Sequence, residues 1–284
     1  MTQPNTPIAF ALDLTEQDEV LLGYMRDFLS EREELPELYF IHNVKYGMDD
    51  DLLEILEEPL TEILAHEVLE RAHRYFPHVK ASQVKITEHE STVEGVLTAV
   101  EHCQAQLLVM GKKLQSDGSG ITPLRVLRQN RCHVLLIPES PKPKTTKILV
   151  PVDFSKNAGR AMSAATEIAS EKNAEIKMVH VYHLPNAYFP FVPVRSMRET
   201  MKKKAQKEIQ TFVKAHSWNP ASFETYIVDG EDRSIVQQLE MEIKIHQIDF
   251  LVLAVKGHSQ ILGSVALGVQ QWYNRTPVLF VKSK

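Results

Sequence analysis

The chain states one pattern twice. A short apolar run leads into an acidic residue and a hydroxyl at residues 8–15 (IAFALDLT) and again at residues 148–155 (ILVPVDFS). Asp13 and Asp153 stand 140 residues apart, His42 and His180 138, and Gly111 and Ala254 143, in a chain of 284. The runs VLLIP (134–138) and VLFVK (278–282) close the two copies. Near-constant spacing across several landmarks marks a duplicated domain. The expected domains are 1–140 and 145–284, joined by ESPKPKTT (139–146), whose prolines and polar residues read as a linker.

Within each copy, short Val/Ile/Leu-rich runs alternate with longer amphipathic ones, which predicts an α/β fold with a parallel sheet covered by helices. The second copy predicts strands at 147–152, 175–182, 223–228, 250–255 and 278–281. Helices are expected at about 156–172, 194–216, 233–245 and after Ser264, the first capped by Ser155. The first copy follows the same order. Its first helix begins at Thr15, with Thr15 and Asp18 at capping-box-like spacing, and its second is expected over about 50–75.

Composition narrows the class. The 43% hydrophobic and 24% charged content is that of a globular protein, and no stretch approaches the ~20 apolar residues of a membrane span. The polar start MTQPNTP lacks the regions of a secretory signal, so a cytoplasmic protein is expected. Cys103 and Cys132 belong to no CxxC or Cys/His spacing and are expected as reduced core residues. Residues 1–143 carry 13 Lys/Arg against 24 Asp/Glu, and the remainder 19 against 13. Opposite signs favour intramolecular pairing of the two halves, or else merely solvate surface helices. Neither half resembles a strongly basic nucleic-acid binder, and no membrane partner is expected.

In an open parallel sheet, ligands sit beyond the carboxyl ends of the strands, where strand order reverses. Asp13 and Asp153 fall at the end of the first strand of each copy. A carboxylate there can accept hydrogen bonds from an adenine amino group or ribose hydroxyls, and it can equally cap the helix amides. After the fourth strand, the run from Ala254 through Lys256, Gly257 and Gly263 to Ser264 leads into a helix. Small residues there admit backbone to a phosphate, although such a turn is more often just a tight connection. The first-copy counterpart holds Gly111, Lys112 and Lys113, two lysines that suit an anion.

Together PVDFS after an apolar strand, HV at the next strand end, and a Gly/Ser turn before a helix and PVLFV resemble the universal stress protein family. The resemblance spans both halves and implies a tandem of two Rossmann-like or flavodoxin-like, doubly wound domains with five parallel strands each. It further implies packing as a pseudo-dimer through the final strands, and possible homodimers. In nucleotide-binding members an Asp after the first strand, a Val after the second and a G-x2-G-x9-G-[ST] turn hold ATP or a smaller adenosine phosphate. By that resemblance the binding residues of the second half are Asp153 with Phe154 and Ser155, then Val181, Ala254, Lys256, Gly257, Gly263 and Ser264. Ala254 replaces the first motif glycine, and only five residues separate Gly257 from Gly263, four fewer than the motif wants. A shorter turn supplies fewer amides to wrap a triphosphate, which leaves ATP, ADP and AMP all as candidates, a smaller adenosine phosphate having Lys256 as its countercharge. The first half keeps Asp13, Gly111 and Lys112 but has Asn43 at the Val position and Leu114 at the second glycine.

Other features read more plainly. His180 and His183, three apart on a strand, point to opposite faces and are expected as hydrogen-bonded structural residues, with no metal site. The loop at 184–194, with Tyr188, Phe189 and Phe191, is a lid, a partner patch or interdomain packing. The basic run MKKKAQKE (201–208) is a solvated helix face. No catalytic residue is assignable. The expected function is a stress-associated binding or regulatory protein rather than an enzyme, its rivals an ATP-binding switch with slow hydrolysis and a scaffold with vestigial pockets.

Overall fold

The computed structural model of the chain describes residues 6–45, 56, 58–113, 121–184, 193–256, 263–270 and 275–283. Two compact units are present: over the described residues, unit 1 holds those up to 144 with 275–277, and unit 2 holds those from 145 to 270 with 278–283. Among the described residues, no helix is long and apolar enough to cross a membrane.

Unit 1 runs β1 (Ile8–Ala11), α1 (Glu16–Leu29), β2 (Leu38–Val44), α2 (Leu60–Tyr75), β3 (Val84–Glu88), α3 (Thr92–His102), β4 (Leu107–Lys112), α4 (Ile121–Gln129) and β5 (His133–Pro138). Its strands lie in the order β3-β2-β1-β4-β5. The pairs β1–β2, β1–β4, β2–β3 and β4–β5 are all parallel. Ala9, Phe10, Leu108 and Val109 are fully buried, because a central parallel strand is covered on both faces. Phe10 stacks on Phe40 at 4.9 Å, and Phe76 tilts against both rings. Cys103 and Cys132 are buried thiols.

The second helix starts later than its apolar pattern suggests. Pro59 is its N-cap and Leu60 its first residue. Proline offers no N–H to an upstream carbonyl and so opens a helix rather than continuing one. Residues 50–55 and 57 of the expected helix lie outside the described residues.

Unit 2 repeats the plan with β6 (Lys147–Pro151), α5 (Lys156–Lys172), β7 (Glu175–Tyr182), α6 (Val194–Ala215), β8 (Glu224–Asp229), α7 (Ile235–Ile245), β9 (Phe250–Ala254), α8 (Ser264–Gln270) and β10 (Val278–Val281). The order β8-β7-β6-β9-β10 reproduces that of unit 1, again with parallel pairs. Both units are therefore doubly wound five-stranded sheets whose order reverses between the first and fourth strands. The buried Asp249 carboxylate fixes the start of β6 against β9, accepting from the amides of Thr146 (3.0 Å) and Lys147 (2.9 Å). Ser155 caps α5 by accepting from the Ala158 amide at 3.1 Å. The apolar stripe Ala158, Ala161, Ala165 and Ile168 is buried on the sheet. Ser234 and Gln237 form a full capping box at α7.

Candidate functional site

Unit 2 holds a cleft of about 310 Å³ at the carboxyl ends of β6, β7 and β9, where the strand order reverses. This is where an open α/β sheet places its ligands. Its walls are mostly aliphatic, from Val152, Val179, Val181, Ile235 and Leu253. Asp153, His180, Lys256 and Ser264 supply the polar groups. Of the residues expected from sequence, Asp153, Val181, Ala254, Lys256, Gly263 and Ser264 come together in this wall. Gly257 lies outside the described residues, as do Tyr188, Phe189 and Phe191.

Phe154 and Ser155 stand behind the wall rather than in it. Phe154 has φ 62°, a left-handed conformation that costs a non-glycine residue about 1–3 kcal/mol. The turn lets Asp153 Oδ1 accept from the Ser155 amide at 3.0 Å while the Phe154 ring lies on His180 at 4.4 Å. Asp153 thus closes its own turn, and the helix cap falls to Ser155. His180 is hydrogen-bonded to Val152 O through Nδ1 (2.9 Å), the structural tie expected of it, and it forms part of the cleft wall as well. His183 likewise meets the Arg233 carbonyl, at 2.8 Å. Lys256 makes no ion pair among the described residues.

Ala158 and Ile235 are cleft residues that the sequence did not single out, and His180 was expected only as a structural residue. Ala158 and Ile235 carry no reactive group, so only their position at the first turns of α5 and α7 gives them a role.

The equivalent place in unit 1 is built differently. Leu14 adopts the same left-handed turn, φ 61°, and His42 Nδ1 bonds Leu12 O at 2.9 Å, matching unit 2. The carboxylate is committed internally, however. Asp13 is ion-paired with Lys113 and accepts from the Thr15 hydroxyl at 2.6 Å. Burial pushes the Asp13 carboxyl up, but its bonds to Lys113 and Thr15 outweigh that and hold it below its usual range.

Thr15 makes no side-chain cap to α1. Asp18 instead reaches back, accepting from the amides of Leu14 (2.8 Å) and Asp13 (3.2 Å). Asp18 is 2% exposed, and burial together with the neighbouring Asp13 charge pushes its carboxyl up to about 7. Arg71 lies 3.6 Å from it and donates to Thr15 O at 3.0 Å. Gly111 faces the Gln17 side chain, 2.5 Å from where a Cβ would sit, and Gln17 Nε2 donates to Ile137 O at 3.0 Å. Burial lowers the Lys112 ammonium to about 8. The two lysines that suited an anion in sequence are thus a partner of Asp13 and a buried group.

No group of three or more His, Cys, Asp or Glu is placed to hold a metal among the described residues.

Fold and cleft together define a doubly wound α/β domain with a largely aliphatic cleft at its switch point. Residues 144–273 match the model of the universal stress protein family. That match falls on the second unit, and the first unit repeats its strand order. The crystal structure of a universal stress protein from Archaeoglobus fulgidus is similar over 97% of this chain and 98% of its own, at 18% identity and TM-score 0.62. A protein of unknown function from Pseudomonas aeruginosa PAO1 is similar over 98% of this chain and 92% of its own, at 14% identity and TM-score 0.64. These likenesses show the two-unit fold. A universal stress protein solved in complex with cAMP is 26% identical over 49% of this chain and 98% of its own, with TM-score 0.34. No curated protein matches the chain.

Proposed function

We propose that unit 2 binds an adenine nucleotide bearing a single phosphate, and that the protein is a cytoplasmic stress-response regulator rather than an enzyme. The observation that carries this reading is the presence in one aliphatic cleft at the switch point of both Asp153 and Lys256, the latter without an ion pair among the described residues. Val152, Val181 and Ile235 offer flat apolar contact to a base, the Asp153 carboxylate accepts from ribose hydroxyls or an exocyclic amine, and Lys256 meets the phosphate charge. About 310 Å³ is at the lower end of small-molecule clefts, ~300–1,000 Å³, and suits a nucleoside monophosphate better than a triphosphate. The shortened stretch between Gly257 and Gly263 points the same way.

Calorimetric titration with AMP, cAMP, ADP and ATP tests this, cAMP being included because a family member has been solved with it. AMP or cAMP should bind, ATP more weakly, and Asp153→Ala should reduce binding at least tenfold, as expected when a charged hydrogen-bond acceptor is removed. Absence of heat with all four ligands, and no adenine released on denaturing the purified protein, would sink the proposal.

A further inference from the structure

Aromatic rings lead away from the unit 2 cleft in an unbroken series. His180, in the cleft wall, carries Phe154 at 4.4 Å, and Phe154 meets the edge of Phe212 at 5.7 Å. Phe212, near the end of α6, meets His216 at 4.7 Å and Trp218 at 5.4 Å. His216 and Trp218 are stacked at 4.4 Å with their planes 10° apart. These separations fall at or near the ~4.5–7 Å of interacting ring pairs.

A second connection runs beside the first. Ala158 lines the cleft, and the next residue, Gly159, backs onto His216, where an added Cβ would lie 2.3 Å from Nε2. His216 is itself held by Nδ1 at the Phe212 carbonyl, 2.9 Å away. The first turn of α5 is therefore enclosed between cleft and rings. Close-packed interiors pass displacement on rather than absorb it.

We propose that Phe154 is a positioning residue for the cleft, and that the ring series it belongs to carries cleft occupancy to Trp218. A ligand bonding Asp153 acts on the turn in which Phe154 is held left-handed, and the Phe154 ring is also what braces His180. Unit 1 makes the same turn with Leu14, which has no ring to extend. That comparison also supplies a safe variant, since leucine already occupies this conformation in the same fold.

This inference rests on the nucleotide reading for its ligand, and its test separates the two. In full-length protein with Trp272→Phe, Trp218 is the sole tryptophan. AMP should change its emission saturably, with the dissociation constant found by calorimetry. Phe154→Leu should weaken AMP about three- to tenfold, the scale of one ring contact, and abolish the emission change; Phe154→Tyr should restore both. Binding without any emission change, or an unaltered response in Phe154→Leu, overturns the proposal. If AMP fails to bind at all, the nucleotide reading fails, and a ligand-free comparison decides the ring series. There, Phe154→Leu should shift the Trp218 indole and His180 ring resonances, and unchanged resonances overturn the series.

Discussion

Unit 1 and unit 2 share strand order, the left-handed residue after the first-strand aspartate and a histidine tied to the same carbonyl, yet they differ at the helix that follows. Where unit 2 has Ala158 in its cleft wall, unit 1 has the buried carboxyl of Asp18. Where unit 2 leaves Lys256 without an ion pair among the described residues, unit 1 joins Lys113 to Asp13. The difference teaches that a duplicated fold can keep its backbone while a few side chains at its switch point diverge. Unit 1 has filled that place with its own charges.

Transplanting one side chain breaks the comparison most directly. Ala158→Asp, which copies Asp18 into unit 2, sets a second carboxylate beside Asp153. It should weaken AMP more than a hundredfold, because like-charge juxtaposition costs several kcal/mol. Calorimetry on a variant whose circular dichroism is unchanged would check this, and retained affinity would mean that the phosphate does not approach α5.

The next effect belongs to unit 1. Asp18 titrates near 7 in the folded protein, well above its ordinary range, so between about pH 4 and 7 the folded state holds a proton that the unfolded state has lost. Stability in unit 1 should therefore fall as pH rises through this window, by on the order of a few kcal/mol, and level off above it. Asp18→Asn, still able to accept from the Leu14 amide, should flatten that slope and leave the variant more stable than the parent at pH 8. Urea unfolding followed from pH 4.5 to 8 measures it; parallel slopes would show that Asp18 ionises as easily folded as unfolded.

A smaller change sharpens the picture of unit 2. Gly159→Ala drives a Cβ against His216 and should cost about 1–3 kcal/mol by overpacking. Gly23→Ala, on the first helix of unit 1, meets only the Tyr75 ring at 3.3 Å and should cost less. Equal losses in thermal melts would mean that His216 moves aside freely.

Much of this was legible in the residues. The repeat and the succession of strands and helices along each copy follow from apolar runs, while the Asp153, Val181, Ala254 and Lys256 positions in the cleft wall follow from the family resemblance. Other parts were not, for identifiable reasons. Lys113 and Asp13 are far apart in sequence and meet only because β1 and β4 are neighbours in the sheet. Ala158 and Ile235 shape the cleft by size alone, which leaves no chemical mark in a sequence. Asp18 sits at a spacing that suggested a capping box with Thr15, but its carboxylate reaches past Thr15 to the two preceding amides. The late start of α2 was signalled by Pro59, against the pull of an acidic, leucine-rich run that continues the helical period upstream.

The central claim is that one of the two copies receives a ligand and the other is closed by its own side chains. Counting AMP equivalents bound per chain by calorimetry tests it most directly, on the parent and on Asp153→Ala. The account predicts one equivalent in the parent and its loss in the variant. Two equivalents, or a single one that survives Asp153→Ala, would contradict it.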